Sequence, residues 1–240
     1  MCFSVSLTKY LDYLELRFSA KALPGSSYDV TYYVSAFSRP CMPVITGGDP
    51  SPIRFFRWGL VPAWTRDARG ADEISLKTLN ARSETVFSKP SFSGPVKNRR
   101  CLLPADGFFE WRDFGGRKYP YHIRQKSGEV FALAGIWDFW RDPATGEELF
   151  TYSVLTAPAS GIIEKVHNIK KRMPVILRRA DEEKWLDAKA PRGTLEELFR
   201  TPPPEDLEAR TVSRLITAKD GSANTPAALE PYRYEGLPEL

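Results

Sequence analysis

The sequence predicts a single α+β domain built on mainly antiparallel strands, and three observations carry that expectation. Short segments of alternating apolar and polar residues recur along the chain, punctuated by Gly and Pro turns. Twenty prolines among 240 residues are too many for a helical bundle, because proline removes an amide donor and breaks helices. No internal repeat and no linker divides the chain, whose length suits one sizeable core. The expected organisation is one domain over residues 1–220. A Pro-, Ala- and Gly-rich tail over 221–240 is expected to be loosely ordered.

The elements follow in order. Cys2 to Leu7 alternates and reads as a strand. Thr8 is placed to cap a helix whose apolar face is Leu7, Leu11, Leu14 and Phe18. Pro24 to Ser27 is a loop. Tyr32–Phe37, Val44–Thr46 and Ile53–Leu60 read as short strands separated by Pro and Gly-Gly turns. Ala63 to Ile74 is polar and irregular and reads as a surface loop, and Ser83 to Phe87 as a helical turn. Strands are expected at Cys101–Leu103, Phe108–Arg112, Tyr121–Gln125, Val130–Trp137 and Thr151–Thr156, with hairpin turns at Gly115-Gly116 and Ser127-Gly128. Met173-Pro174 begins another strand. Asp181 begins a helix, and Thr194-Leu195-Glu196-Glu197 is a capping box for a short helix ended by three prolines. Arg210 to Ile216 is the last expected strand.

Composition narrows the function classes. The net charge of +4 permits a nucleic-acid partner without requiring one. No apolar run approaches the ~20 residues that span a bilayer, and no basic-then-apolar leader opens the chain. No membrane partner is expected. Three cysteines, Cys2, Cys41 and Cys101, with no CxxC pair, suit a reducing cytosol and give neither a disulfide framework nor a zinc site. With only two histidines, His122 and His167, a histidine-based metal site would need carboxylate help.

Five stretches carry candidate chemistry. Cys2 follows the initiator methionine, and aminopeptidases trim Met1 before a small residue. A terminal cysteine combines an amine of pKa about 7.7–8 with a thiol of pKa about 8.5. The amine attacks an aldehyde to give a Schiff base, and the thiol then closes a five-membered thiazolidine. In Trp58-Gly59-Leu60-Val61-Pro62-Ala63-Trp64, the two indoles are either a core corner or a stacking platform for bases. In Asn80-Ala81-Arg82-Ser83-Glu84-Thr85, Asn80 can orient an amine and Arg82 can hold a phosphate, or the segment is a helix cap with Ser83 at its head. Glu110 lies in an aromatic run with Trp111. Apolar surroundings would raise its pKa toward neutrality, unless strand alternation turns it outward. His167 precedes Lys170, Lys171 and Arg172 and is either a proton shuttle near phosphate or a structural histidine. Lys97 to Arg100, including Arg99 and Arg100, is a second basic run. His122, in an alternating strand, reads as structural, and Asp106-Gly107 as turn chemistry.

Assembled in order, Cys2, NARSET, FFEW and the His167-to-RMP stretch resemble the SOS-response-associated peptidase (SRAP) family. The resemblance runs from Cys2 to about Leu177 and more weakly to about Ile216. It implies a curved, barrel-like, mainly antiparallel sheet flanked by short helices. It also implies an abasic-site processing protein whose mature N-terminal Cys2 forms a thiazolidine with the ring-opened sugar of an abasic site in single-stranded DNA. Cys2 is then the nucleophile, with Asn80, Glu110 and His167 as the other catalytic positions and Arg82 as a DNA-backbone contact. Met1 must leave, by aminopeptidase or by self-cleavage. Reversal of the crosslink and a β-elimination side reaction are both compatible with a Schiff base. Further DNA contacts are expected from Trp58, Trp64, Trp111, Arg99, Arg100, Lys170, Lys171 and Arg172. No metal or organic cofactor is called for. A cytoplasmic monomer, on the nucleoid when bound to DNA, is expected. One departure stands out: many members place the histidine almost directly before Arg-Met-Pro, whereas four residues intervene here. The competing readings are a cysteine peptidase pairing Cys2 with His167, and a non-catalytic reader of nucleic acid.

Overall fold

Five of the alternating segments close into a barrel. The computed structural model describes residues 2–200, 202–218 and 222–240. The chain opens with β1 (Ser4–Leu7), α1 (Leu11–Phe18) and the short β2 (Lys21–Ala22). Next come β3 (Thr31–Ser35), β4 (Cys41–Thr46), β5 (Pro52–Trp58), α2 (Ala68–Ser75) and β6 (Asn80–Arg82). Two single-turn helices, α3 (Pro90–Ser93) and α4 (Pro95–Asn98), lead into β7 (Arg100–Ala105), β8 (Gly107–Phe114), β9 (Arg117–Gln125), β10 (Phe131–Arg141) and β11 (Glu148–Pro158). Then follow α5 (Gly161–Val166), β12 (Arg172–Pro174), β13 (Ile176–Leu177), α6 (Arg179–Leu186), α7 (Arg192–Arg200) and β14 (Leu207–Thr211).

Strands β5, β4, β7, β10 and β11 pair in that order, antiparallel. A short parallel pairing of β11 with β5, Thr151 opposite Arg57 and Tyr152 opposite Trp58, closes the ring. The inward residues form the core, among them Val44, Ile53, Leu103, Leu133 and Val154. A second sheet, ordered β14-β9-β8-β1-β3, lies against the barrel. The curved, mainly antiparallel sheet with short helices around it is the expected architecture. Among the described residues no helix is long and apolar enough to cross a membrane.

Several local readings are corrected. Thr8 caps no helix. Its amide donates to Asp106 Oδ2 at 2.6 Å, and α1 starts after Tyr10 without a side-chain cap. The irregular stretch 63–74 contains α2, capped by Asp67, whose Oδ1 accepts from the Gly70 amide at 2.7 Å. Asn80–Arg82 is a strand paired parallel to β11, not a helix start. Gly115-Gly116 does turn the β8–β9 hairpin, with both glycines at positive φ. Ser127-Gly128 is a turn between strands of different sheets, so it closes no hairpin. The tail is packed, not loose. Asn224 Oδ1 accepts from the amides of Tyr32 and Tyr33 on β3, Ala228 is buried against Phe109 and Val212, and Tyr234 meets Tyr119 edge-on at 5.1 Å. Gly221 itself lies outside the described residues.

Candidate active site

Backbone pairing gathers four side chains scattered through the sequence. β1 runs antiparallel to β8 with Val5 opposite Phe108. Continuing that register three residues back brings Cys2 level with Trp111, one residue beyond Glu110. β11 then supplies two supports. On one edge it holds β6, with Val154 opposite Asn80. On the other it holds β12, with Pro158 opposite Arg172, so the loop carrying His167 returns to the same place.

Cys2 is fully buried. Its carbonyl accepts from Asn80 Nδ2 at 3.0 Å, and its Sγ lies 3.8 Å from the Ser4 carbonyl. Asn80 thus fixes the chain at its second residue. Its Oδ1 is buried without a hydrogen-bond partner among the described residues, a vacant acceptor in a site where a buried acceptor is costly to leave unmade. Burial pushes the Cys2 thiol well above its ordinary range, and the neighbouring Glu110 adds to the shift.

Glu110 is 3% exposed. Burial lifts its pKa from the ordinary 4.5 to about 7, because desolvation penalises the charged carboxylate. Alternation on β8 does not turn it into solvent, since both faces of this strand are covered. Phe109 and Trp111 face a separate apolar cluster with Val212 and Ile216, while Glu110 faces the site.

His167 follows the last residue of α5, its amide bonded to the Ile163 carbonyl at 2.8 Å. The four-residue insertion before Arg172 is a closed turn: the Lys171 amide bonds the His167 carbonyl at 2.9 Å, with Lys171 at φ 47°. Asn168 staples this turn to β8, accepting from the Asp113 amide at 3.0 Å and donating to the Asp113 carbonyl at 2.8 Å. The ring Nδ1 donates to the Arg172 carbonyl at 2.7 Å, which makes Nε2 the basic nitrogen of the neutral imidazole. The same Nδ1 lies 3.6 Å from Glu110 Oε1. Burial lowers the His167 pKa, so the ring is neutral at pH 7.

The basic and aromatic candidates divide. Arg82 is exposed and makes no ion pair among the described residues. Trp64 is 59% exposed on the Pro62–Thr65 turn. Lys170 is exposed and close enough to act on both Glu110 and His167. Lys171 is paired with Glu164, and Arg99 with Asp138 at 3.2 Å. Three candidates are corrected. Trp58 is buried, its indole N–H given to the Leu79 carbonyl at 2.8 Å and its ring stacked on Tyr152. It is the core corner. Arg100 is buried, and its guanidinium donates to the carbonyls of Trp185, Val96, Lys97 and Asp187. Arg172 is spent on Glu84 and on the Thr156 carbonyl. Trp111 is not among them: it is half-buried, on the face of β8 away from Glu110. Reading by composition misses Phe37, an exposed ring whose centroid is 4.9 Å from that of Phe3, next to Cys2. An exposed aromatic one strand away from Cys2 is the available signal.

Fold and site together define a class: a small barrel domain that presents a near-terminal cysteine to an amide, a buried carboxyl and an imidazole. The family model for SOS response associated peptidase (SRAP) matches residues 1–219, and the chain belongs to that family. It is 33% identical over 238 residues to abasic site processing protein YoqW of Bacillus subtilis, covering 97% of this chain and 100% of the relative. Abasic site processing protein HMCES of Gallus gallus is 37% identical over 205 residues, 76% of this chain and 58% of that one. A crystal structure of a protein from Bacteroides thetaiotaomicron superposes with a TM-score of 0.89 at 35% identity, covering 97% of this chain and 100% of that chain.

Proposed function

We propose that this protein processes abasic sites in DNA, as its named relatives do, and does so by capturing the lesion in a thiazolidine crosslink on Cys2. The observation that carries the reading is the junction of Asn80, Cys2, Glu110 and His167, with Asn80 Nδ2 on the Cys2 carbonyl and Glu110 3.6 Å from His167.

The steps follow from the protonation states. An abasic sugar is an aldehyde in equilibrium with a closed hemiacetal. Glu110, with a pKa of about 7, is partly protonated at neutral pH and gives its proton to the ring oxygen as the ring opens. The amine of Cys2 attacks C1′ and water leaves, giving an imine. Asn80 Oδ1 accepts one N–H of the amine and holds its lone pair on the aldehyde. His167 takes the proton released by the attack. The thiol then adds to the imine carbon, its proton passing to the nitrogen through the carboxyl or the imidazole. A protonated thiol suits this order, because it stays inert until an imine is formed beside it.

Met1 lies outside the described residues. The chemistry requires its removal, because an amide nitrogen does not attack an aldehyde. A protonated, buried thiol weighs against the peptidase reading, which needs a thiolate of lowered pKa. Phosphates of a single strand would meet Arg82 and Lys170, and bases flanking the lesion would stack on Trp64 and Phe37.

The test is a denaturing gel of the protein with single-stranded DNA bearing one abasic site, alongside intact mass spectrometry. A heat-resistant adduct on protein lacking Met1 is expected. An equal adduct on protein that retains Met1 would overturn the mechanism.

A further inference from the structure

The tail wraps the second sheet from one face to the other. Residues 222–230 lie on the Phe109 side, pinned to β3. The chain then passes the β14 edge, where Pro231 bridges Val212 and the Tyr232 amide bonds the Thr211 carbonyl. Residues 231–240 end on the opposite face, the face of Glu110. There Tyr234 packs on Tyr119 and donates to the Val212 carbonyl at 2.8 Å.

This strap ends on Arg112. Arg112 is two residues from Glu110 on the same face of β8, about 7 Å along the strand. Its Nη1 donates to the Pro238 carbonyl at 2.6 Å, with the Glu239 carbonyl and the Tyr121 hydroxyl each at 3.4 Å. All three partners are neutral oxygens, and no carboxylate pairs with this guanidinium among the described residues. Beneath the strap is a cavity of about 1130 Å3 that Tyr121, Arg210 and the α5 residue Ile162 help to line. Glu235 and Glu239 of the strap line the same cavity. A planar, fixed-charge fork that holds only carbonyl and hydroxyl oxygens is a ready phosphate contact.

We infer that Arg112 is a phosphate subsite for the DNA strand flanking the lesion, and that residues 231–240 occupy it until DNA displaces them. The inference rests on the reading of the site as a DNA-processing centre. It does not require the crosslink, because undamaged single strands compete for Arg112 equally well.

The experiment is hydrogen exchange of the full-length protein, followed over residues 231–240, with and without an undamaged single-stranded oligonucleotide. Protection at Tyr232 and Tyr234 should fall on saturation with the oligonucleotide, and should hold in inorganic phosphate of matched ionic strength. Arg112→Ala should flatten the salt dependence of single-strand binding by about 0.7, the share of one phosphate, while Arg112→Lys preserves it. Tyr234→Ala loosens the strap and keeps Arg112. It should tighten binding about 3- to 10-fold, because a larger fraction of the protein then has the subsite open. Unchanged exchange at saturation, an unchanged slope in Arg112→Ala, release by phosphate alone or an absence of single-strand binding would each overturn the inference. Loss of the strap's protection in a protein that crosslinks no abasic DNA would leave the subsite standing and remove the proposed chemistry instead.

Discussion

Two buried clusters of this molecule have nearly the same ingredients and opposite character. One joins Cys2, Glu110 and His167. The other joins Ser6, Asp106 and His122, with Ser6 on the same strand β1 that leads from Cys2. In the second cluster both oxygens of the carboxylate are used. Asp106 Oδ1 takes the Ser6 hydroxyl at 2.7 Å, Oδ2 takes the Thr8 amide at 2.6 Å, and His122 Nε2 lies 3.0 Å from the Ser6 oxygen. Burial and the nearby Arg210 push the His122 pKa down to about 3, so the ring is a neutral donor. The packing admits no adjustment: a Cβ on Gly107 would sit 2.0 Å from His122 Nε2. In the first cluster the carboxyl is held near pH 7 in its titration, and its contact to the imidazole is 3.6 Å. A carboxylate and a histidine near a nucleophile do not by themselves make a catalytic site. What separates the two is that one carboxyl accepts from a fixed hydroxyl and a fixed amide, whereas burial brings the other into its titration range beside an imidazole.

The largest expected effect tests that difference directly. Cys2→Ser should abolish the heat-resistant adduct and leave only an imine trappable by borohydride, because a hydroxyl does not close a stable ring. Ser6→Ala should leave the adduct rate unchanged and lower stability by about 1–2 kcal/mol, the cost of a buried hydrogen bond with its acceptor stranded. A folded Ser6→Ala protein without adduct would merge the two clusters into one machine.

The next effect is on rate. Glu110→Gln should slow adduct formation ~10²–10⁴-fold. In the wild type, the limb that depends on protonated Glu110 should decline above pH about 7, the value burial gives that carboxyl. The substituted protein should lack this limb in a stopped-time pH series. His167→Ala should slow formation and reversal together.

Stability should move the other way. The folded pKa of Glu110, about 7, lies above its ordinary 4.5, so the folded state binds the proton more tightly. Its stabilising contribution is full below pH 4.5 and is lost as pH rises through 7. Glu110→Gln should therefore raise the melting stability at pH 8 by on the order of 1–3 kcal/mol while leaving it unchanged at pH 4. Denaturant midpoints at the two pH values decide it, and a loss at pH 8 would show that the charged carboxyl is better compensated than its burial implies.

The smallest effect separates two arginines. Arg82→Ala should reduce the salt slope of single-strand binding by about 0.7–1 with no change in stability. Arg100→Ala should instead destabilise by roughly 3 kcal/mol or more, because four carbonyls lose their donor. Equal slopes in wild type and Arg82→Ala would move the groove elsewhere.

The strands are legible in the sequence because alternation is a local property, and β1, β5, β8 and β11 all announce themselves. The closure of the barrel is not. It rests on two parallel pairs between β5 and β11, which no local pattern encodes. Helix α2 hides in a polar stretch where only the Asp67 cap signals a start. The NAR segment has no strand pattern of its own and becomes a strand by docking on β11. The four catalytic candidates are readable as residue types whose chemistry fits one reaction. The basic run at Lys97–Arg100 is readable only as charge. Whether a cation faces solvent or, like Arg100, braces the loop after α6 depends on strand phase at a helix junction. The tail has no periodicity, and its order comes from Tyr234 and Asn224 finding partners far away in sequence.

If Met1 must leave, as the proposed chemistry requires, the burial of Cys2 sets a clock on biosynthesis. An exopeptidase needs an extended, accessible terminus, and residue 2 is sealed once β6, β8 and the β11–α5 region have come together. β11 ends at Pro158, so the seal waits for more than half of the chain to leave the ribosome. At about 5–20 residues per second that leaves roughly ten to thirty seconds in which the nascent terminus can be trimmed. A chain that folds before trimming would carry a blocked amine into a closed site, and would need its own chemistry to open it.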